Sequence, residues 1–562
     1  MKKYDAIVVG AGSAGCVMAS RLSEDPSRQI LLIEAGFDLG PMESSDIRSP
    51  YPMSAYNSNY QWKNLNANIV SGSDVRSCSI PQAKMVGGCS AINAMLALRG
   101  TSDDYNEWLA KGINGWGWED VLPYFKKMET DNDYVNEMHG QNGPIFISRQ
   151  TKNKNRQIGN AFADICQERG LNYINDVNSD FRNGFFVTPM STDGFNRYST
   201  NRAYLSEKVR SRSNLKIISN ALCEKILFEE KVAKGISAKI ENKFETFFSD
   251  QIILSTGAIQ SPAILMRSGI GESSQLQRLK IPVIVNLPGV GKNLQNHGVI
   301  PLGILLRGNN ISPTTQPAAF IGMRANSGID GGTSDLYFSL WDRSAWHSLG
   351  GQIGVLNVVL HKPSSTGSIE LKSCDPESLP LIDFNFLSDD RDVLRMHKGI
   401  QVALGFLGDP KMKNIGLKFG LIKLNAVTKQ LIYRSLITRL ISWLFELILK
   451  IIPSILNPLY DIALHSIPNG FLPDANIKEI KKALRSAILL QYHQVGTCSM
   501  GPENSKMSVT DPTGRVYGVN GLTIVDASIL PSVPRGNTNI PVIMAAEKIA
   551  DLFKEKVWMQ KI

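Results

Sequence analysis

The chain has 562 residues, of which 43% are hydrophobic and 20% charged, and its net charge is +9. That length is too great for one ordinary core and predicts at least two lobes, and the composition excludes a disordered or fibrous protein. Seven scattered cysteines without a CxxC pair indicate neither a disulfide framework nor a zinc site, and we expect no metal. The N-terminus lacks the pattern of a secretory signal, which favours a cytoplasmic protein.

The first predicted element is a short strand that leads into a glycine-rich turn. Residues 5–9 read as a buried strand, and the run Gly10-Ala11-Gly12-Ser13-Ala14-Gly15 then opens a helix. In this pattern the first glycine makes the tight turn, the second lets backbone amides approach a pyrophosphate, and the third permits close helix–strand packing. A second apolar strand, 30–33, ends in Glu34, which can accept from a ribose hydroxyl. The unit predicts a dinucleotide site without deciding between FAD and NAD.

Two later segments predict parts of the same site and of a second lobe. Gly87 and Gly88 indicate a loop whose backbone can lie against a flat ring, and Ser90 and Asn93 are short polar groups suited to the edge of that ring. Residues 368–372 alternate in polarity, which suits a strand of an antiparallel sheet.

Most of the excess positive charge lies in one apolar stretch. Residues 411–460 hold eight lysines and arginines against Glu446 alone, which argues for a membrane surface and against nucleic acid. Within it, residues 430–452 predict an amphipathic helix with polar and apolar sectors on opposite sides. Its charges are too many for a membrane span. We favour an interfacial membrane helix, with a lid or dimer helix and a fully buried helix as alternatives.

The last predicted strand returns the chain to the first sheet. Gly521 opens a turn, residues 522–525 read as a strand, and Asp526 follows at its end. Because ligands bind at the carboxyl ends of parallel strands, we expect this carboxylate near the cofactor.

Five motifs in chain order resemble the signatures of the glucose–methanol–choline (GMC) oxidoreductase family. They are Pro81 to Met95, Gly257 to Gly271, Leu287 to His297, Tyr492 to Gly501, and the pair of runs Gly521 to Ser528 and Asn537 to Pro541. The motifs cover nearly the whole chain. The family usually has Asp where Asn296 stands.

The resemblance implies an α/β (α+β) fold with two domains. One is a discontinuous Rossmann-type FAD-binding domain, and the other is a substrate domain with an antiparallel sheet capped by helices. Residues 1–300 would be the family's N-terminal region, mostly FAD-binding, with 131–200 in the substrate lobe. Residues 301–484 would form the substrate-binding domain with a basic amphipathic insertion at 411–466, and residues 485–562 would return to the FAD domain with the catalytic pair.

The resemblance also implies the chemistry. His493 stands where the family has its base, facing the reactive nitrogen of the flavin, and Asn537 stands at the partner position. An alcohol would then lose its proton to His493 and its hydride to N5 of FAD, while Asn537 donates to the alkoxide-like oxygen. Some relatives attach FAD through a histidine at the position of Ile92, so the flavin here should be non-covalent. His297 receives no chemical role.

The predicted site residues and partners follow from these motifs. The cofactor-binding residues are Gly10, Gly12, Ser13, Ala14, Gly15, Glu34, Ala35, Val86, Gly87, Ser90, Asn93, Ala94, Met95, Cys223, Asp526, Ala527 and Asn537. We expect an apolar or long-chain alcohol as substrate, with a choline-like substrate or an oxygen-using oxidase as alternatives, and a flavin-dependent lyase or photodecarboxylase as the alternative of another class. The electron acceptor would be a quinone, a carrier protein or oxygen. The enzyme would be cytoplasmic, with an anionic membrane surface on the inner face as a further partner and no nucleic acid.

Overall fold

The computed structural model describes residues 3–72, 75–150, 156–307, 315–317, 319–423, 431–451 and 463–558. Its strands are β1 (Ala6–Val9), β2 (Ile30–Ile33), β3 (Asn66–Val70), β4 (Arg76–Ser79), β5 (Glu129–Asp131), β6 (Ile145–Arg149), β7 (Gly184–Val187), β8 (Pro189–Met190), β9 (Leu215–Ile218), β10 (Ala221–Glu229), β11 (Val232–Ile240), β12 (Lys243–Phe248), β13 (Ile252–Leu254), β14 (Ile270–Gly271), β15 (Val285–Asn286), β16 (Gly298–Leu306), β17 (Ala319–Ala325), β18 (Leu336–Trp341), β19 (Ile353–Leu360), β20 (Ser368–Glu370), β21 (Leu381–Asp383), β22 (Gly416–Ile422), β23 (Leu464–His465), β24 (Leu489–Leu490) and β25 (Leu522–Ile524). Its helices are α1 (Ser13–Leu22), α2 (Ser45–Arg48), α3 (Ser102–Ala110), α4 (Trp118–Met128), α5 (Gln157–Glu168), α6 (Thr200–Tyr204), α7 (Glu207–Arg210), α8 (Gly257–Arg267), α9 (Ser273–Arg278), α10 (Ser348–Gly351), α11 (Asp390–Leu407), α12 (Pro410–Ile415), α13 (Leu436–Ile451), α14 (Ile477–Ala487) and α15 (Asn539–Phe553).

A parallel sheet forms the centre of the first lobe. Its order among the described strands is β25-β13-β1-β2-β9, with every pairing parallel. Strands β1, β2 and β13 are apolar and fully buried, as expected of a parallel sheet covered on both faces. Because β25 comes from the last part of the chain, the lobe is discontinuous, and this part of the predicted fold is confirmed.

The turn between β1 and α1 depends on two glycines. Gly10 has a φ of +94°, and a Cβ there would lie 2.6 Å from the carbonyl oxygen of Ser255. A Cβ on Gly15 would lie 1.8 Å from the carbonyl oxygen of Gly10, so α1 can approach the turn only where it has no side chain. A Cβ on Gly12 would meet its nearest neighbour at 3.9 Å, so space stays open beside the start of the helix.

A larger antiparallel sheet forms the second lobe. Its order among the described strands is β23-β22-β16-β19-β18-β17-β7, and β24 also pairs with β16. Strands β16 and β19 are buried along their whole length, and helix α11 packs against β19. The predicted antiparallel sheet capped by helices is therefore confirmed, and β7 joins it from the segment 131–200.

Residues 368–370 of the predicted segment form strand β20, which pairs antiparallel with β21 as its alternating polarity suggested. The strand does not join the large sheet of the second lobe, however, but belongs to a separate sheet of order β20-β21-β3-β4. Alternating polarity indicates that one face of a strand is buried. It does not indicate which strand lies beside it.

The predicted insertion at 411–466 is partly integral to the fold. Helix α12 covers residues 410–415, and β22 covers 416–422 and pairs with β16 inside the large sheet, so this first part is not an added amphipathic segment. The helix predicted over 430–452 is α13, which runs from Leu436 to Ile451, while positions 430 and 452 lie outside the described residues.

Helix α13 turns its apolar side outwards. Leu436 is 84% exposed and Leu440 is 58% exposed, and the same side carries the exposed residues Ile437, Trp443, Leu444, Leu447 and Ile448. Thr438 and Ser442, on the opposite side, are buried. Helices of globular proteins usually pack their apolar side inwards, so this orientation is reversed. Within the described ranges, no helix has the length and apolar character needed to cross a membrane.

Candidate active site

A cavity of about 1400 Å³ connects the two lobes. It starts at the carboxyl ends of β1, β2 and β13, where Gly10, Glu34 and Ser255 line it, and it extends to the face of the antiparallel sheet. Open parallel sheets bind ligands at this edge. The volume exceeds that of an ordinary small-molecule site, which leaves room for a cofactor and a substrate together.

The residues at the sheet edge fit a dinucleotide. Glu34 accepts the backbone N–H of Ala11 at 2.9 Å and that of Gly36 at 2.8 Å, so its carboxylate is fixed between the ends of β1 and β2. Burial raises the pKa of Glu34. A carboxylate has about four acceptor sites, and the remaining ones suit ribose hydroxyls. The open space beside Gly12 would admit the phosphates of such a cofactor at the N-terminus of α1.

A second glycine loop packs against the first. Gly88 has a φ of +52°, and a Cβ there would lie 2.6 Å from the Cα of Gly12. Ser90 donates to the carbonyl oxygen of Gly87 at 2.6 Å, and Arg197 donates to the side-chain oxygen of Asn93 at 2.7 Å. These bonds fix the loop so that its backbone faces the cavity, as a planar ring requires.

Asp526 makes its hydrogen bonds within the protein. Its carboxylate accepts the N–H groups of Gly257 at 2.9 Å and Ser528 at 2.8 Å, and the hydroxyls of Ser261 and Ser528, each at 2.5 Å. Burial raises its pKa. The carboxylate therefore joins the end of β25 to the start of α8 and fixes the cavity wall there.

Most of the predicted cofactor residues line the cavity, and four do not. The lining residues are Gly10, Gly12, Ser13, Ala14, Glu34, Ala35, Asn93, Ala94, Met95, Cys223, Asp526, Ala527 and Asn537. Gly15, Val86, Gly87 and Ser90 lie behind this surface and shape the loops. Gly88, which the sequence placed in the ring-binding loop, lines it as well. Sequence reasoning missed Cys89, Gly257, Thr538 and Asn539, which also line it. All four lie within the motifs named above, so reading each whole motif would have found them.

His493 and Asn537 meet in the cavity. The side-chain nitrogen Nδ2 of Asn537 lies 3.0 Å from Nε2 of His493. An amide NH₂ only donates, so in this orientation Nε2 of His493 is the acceptor. Burial lowers the pKa of His493 to about 4, so its imidazole is neutral near pH 7. A neutral imidazole with an unprotonated Nε2 can take a proton from a hydroxyl that replaces the N–H of Asn537 at this nitrogen.

The backbone around His493 is held in an uncommon conformation. Its N–H donates to Oδ1 of Asn296 at 2.8 Å, and Asn296 is fully buried. Asparagine makes this bond without adding a negative charge beside the imidazole. Tyr492 has a φ of +62°, a left-handed conformation that bulky residues rarely adopt and that occurs preferentially at functional sites.

The loop that carries Asn537 is anchored by a buried ion cluster. Arg535 donates to Oδ1 of Asp104 at 2.7 Å, and Lys362 donates to the same oxygen at 3.0 Å. Although burial raises the pKa of a carboxyl group, these two cations hold the pKa of Asp104 at about 2. Sequence reasoning missed this cluster, because Asp104 reads as an ordinary helix-capping residue of α3.

One wall of the cavity is a face of the antiparallel sheet. On β19, Ile353, Val355, Asn357 and Val359 point to it, and β16 and β18 add Val299, Pro301, Tyr337, Ser339 and Trp341. The run from residue 353 to 359 covers about 20 Å at the usual rise of a strand. Among the described lining residues the carboxylates are Glu34 and Asp526, and both lie at the cofactor end.

A second titratable cluster lies outside the cavity lining. Nδ1 of His139 is 2.9 Å from Glu129 and 3.0 Å from Asp131, and Nε2 is 2.7 Å from Asp176. Burial lowers the pKa of His139, but its hydrogen bonds to the three carboxylates outweigh this and raise the pKa to about 10. An imidazolium has no lone pair for a metal, and Arg149 also contacts Asp131 at 2.9 Å. The geometry is that of an ion network.

Comparisons with known proteins agree with this geometry. The N-terminal and C-terminal models of the GMC oxidoreductase family match residues 4–299 and 363–546. A 5-(hydroxymethyl)furfural oxidase of Methylovorus sp. (strain MP688) is 34% identical over 98% of both chains. An oxygen-dependent choline dehydrogenase of Vibrio vulnificus (strain YJ016) is 30% identical over 99% of this chain and 97% of its own. Among solved structures, pyridoxine 4-oxidase from Mesorbium loti is similar in fold, with a TM-score of 0.81, 24% identity, and 98% and 99% of the two chains covered.

The chain therefore belongs to the GMC oxidoreductase family. It is an FAD-dependent oxidoreductase that acts on the CH–OH group of an alcohol, as the sequence predicted. The seven cysteines are free thiols.

Proposed function

We propose that this oxidoreductase oxidises a neutral, apolar alcohol with His493 as its base. The observation that carries the proposal is the pair formed by Nε2 of His493 and the amide of Asn537 inside the cavity. A hydroxyl placed against both would give its proton to His493, and Asn537 would donate to the developing alkoxide oxygen. FAD, when bound, supplies the acceptor for the hydride that leaves the α-carbon.

The cavity wall supports an apolar substrate. Beyond His493 the face of the antiparallel sheet presents mainly valine, isoleucine and aromatic side chains, with Ser339 and Asn357 as a polar pair. Further polar groups of the lining come from Arg343, His347, His361 and Lys423. A quaternary ammonium such as choline is favoured by nearby carboxylates or by an aromatic cage. The wall does contain aromatic side chains, but the described carboxylates of the cavity lie at the cofactor end, and Arg343 and Lys423 also line it, which disfavours a cation. The 34% identity to a 5-(hydroxymethyl)furfural oxidase supports a neutral alcohol, and the 30% identity to a choline dehydrogenase keeps choline as the alternative.

Anaerobic reduction of the bound flavin tests this function. Primary alcohols of graded chain length and choline are mixed with the yellow enzyme without oxygen, and loss of the oxidised flavin spectrum is followed. We expect apolar alcohols to reduce the flavin faster than choline at equal concentration. Reduction by choline alone would overturn the substrate class, and no reduction by any alcohol would favour a lyase or a photodecarboxylase.

The cofactor would be held without a covalent bond. Ile92 lines the cavity and cannot form the histidyl link used by some family members. Acid precipitation should therefore release free FAD into the supernatant. Flavin that stays with the precipitated protein would contradict this proposal.

The reversed helix α13 supports attachment to an anionic membrane surface. Its apolar side is exposed, Arg439 is exposed on the same helix, and Lys413 and Lys418 are exposed on the preceding segment. Ile432 and Ile441 beside this face line the cavity, so a bound membrane would lie next to the substrate wall. Apolar contact combined with basic residues is the pattern of interfacial helices.

A membrane location would also favour a quinone as electron acceptor, because quinones dissolve in lipid. Turnover with a soluble quinone in the absence of oxygen tests that preference.

A further inference from the structure

A second histidine lies directly behind His493. Nδ1 of His297 is 2.9 Å from Nδ1 of His493, and the two rings meet edge to face at 85°. His297 is 1% exposed. On its other side the ring of His361 lies 4.9 Å away, and Tyr337 stacks on His361. His297 is thus fixed in place by packing while one of its nitrogens contacts the base.

With the NH₂ group of Asn537 directed at His493, the two hydrogen bonds of the His493 ring indicate where its proton lies. Neutral imidazole carries one proton on its two nitrogens. Nε2 of His493 faces the NH₂ group of Asn537, which donates, so Nε2 is bare and the proton lies on Nδ1. That proton points at Nδ1 of His297. His297 must therefore accept at Nδ1 and carry its own proton on Nε2.

We propose that His297 is a positioning residue that keeps His493 in the tautomer with Nε2 bare and facing the substrate. The inference rests on the proposed role of His493 as the base. In the other tautomer, Nε2 of His493 carries the proton and cannot take one from an alcohol. His297 lines the cavity beside His493, and its effect on the reaction would pass through His493.

His297 can hold this role because it stays neutral. Burial lowers its pKa well below the ordinary value, and the neighbouring His361 and His493 lower it further, against an opposing contribution from Asp104. A protonated His297 would donate from Nδ1 and force Nδ1 of His493 to accept. The proton of His493 would then move to Nε2 and block the base. Nε2 of His493 therefore stays unprotonated only while His297 is neutral.

Two variants separate this role from simple packing. His297→Leu fills the space but removes the acceptor, whereas His297→Asn offers its Oδ1 close to the position of Nδ1. We expect His297→Leu to slow anaerobic flavin reduction by about 10- to 100-fold, the size of effect seen when a partner that orients a metal-bound histidine is removed. The substrate concentration at half-saturation should change little. His297→Asn should recover most of the rate.

A spectroscopic readout tests the tautomer without reference to activity. The FAD-loaded enzyme is labelled with ¹⁵N-histidine, and the signals of His493 are identified by their loss in His493→Ala. Wild type should show a bare Nε2 and a protonated Nδ1 on His493, and His297→Leu should show a mixture of tautomers.

The proposal is overturned if wild-type His493 carries its proton on Nε2, or if His297→Leu keeps both the tautomer and the rate. The wild-type spectrum and His297→Asn decide the matter even if His297→Leu does not fold. If His493→Ala itself reduces at the wild-type rate, the proposed function fails, and the tautomer result stands apart from it.

Discussion

Changing Leu440, Leu444 and Leu447 together to Ser should release the enzyme from anionic membranes. The three side chains are 58%, 45% and 39% exposed, so together they expose about as much as one and a half free leucines. At roughly 2 kcal/mol for each fully buried leucine, their insertion among acyl chains contributes about 3 kcal/mol, or roughly 100-fold in the partition constant. Because the side chains are already exposed, the melting temperature should stay close to that of wild type.

Co-sedimentation with vesicles measures this effect. Wild type should pellet with anionic vesicles at low salt, pellet less at high salt because the basic residues are screened, and pellet least with neutral vesicles. The matched control changes Val135, Phe195 and Leu381 to Ser, which removes at least as much exposed apolar surface outside α13. Wild type left in the supernatant at low salt would refute the membrane proposal. Equal loss of binding in the control would show that α13 is not the contact.

His493→Ala should retain FAD but slow its reduction by alcohol at least ~100-fold. Asn537→Ala should slow the reduction less, because this variant loses a hydrogen-bond donor but keeps the base. Stopped-flow spectra of both variants measure these rates. The apparent second-order rate constant kcat/KM should fall as the pH drops through about 4, because His493 must be neutral to accept a proton; a fall centred near 6.5 would contradict its lowered pKa. His139 should stabilise the fold fully below pH 6.5 and lose this contribution as the pH rises through about 10, because its pKa in the folded protein is raised above the unfolded value. Denaturant unfolding at pH 6, 8 and 10 should show this loss in wild type and not in His139→Gln.

The sequence predicted the local units of the fold well. The turn at Gly10 and Gly15 follows from sterics within a few residues, and the structure shows the clash that any side chain would make there. The pairing of residues 368–372 could not be derived in the same way. Their polarity shows which side of the strand is buried, but their neighbour, β21, is chosen by the packing of the whole domain.

In the candidate site, too, local motifs could be predicted from the sequence, whereas contacts between distant residues could not. His493 and Asn537 stand in motifs, so both could be named from the sequence, whereas the contact between His493 and His297 joins residues 196 positions apart and appears only in three dimensions. The periodicity of α13 gave its two sides correctly. It could not show that the polar side with Thr438 and Ser442 faces the protein, because that depends on the surface beneath it.

Strand β25 is synthesised long after β13, the strand with which it pairs. Strand β13 ends at Leu254, but its partner begins only at Leu522, so nearly half of the chain is synthesised between the two. At about 5 to 20 residues per second, a ribosome needs roughly 15 to 50 s for that stretch. During this time β13 presents an unpaired, apolar edge to solvent, the kind of edge on which nascent chains associate. Production of this enzyme should accordingly depend on chaperones that bind the nascent chain, and it should improve when translation is faster between residues 255 and 521.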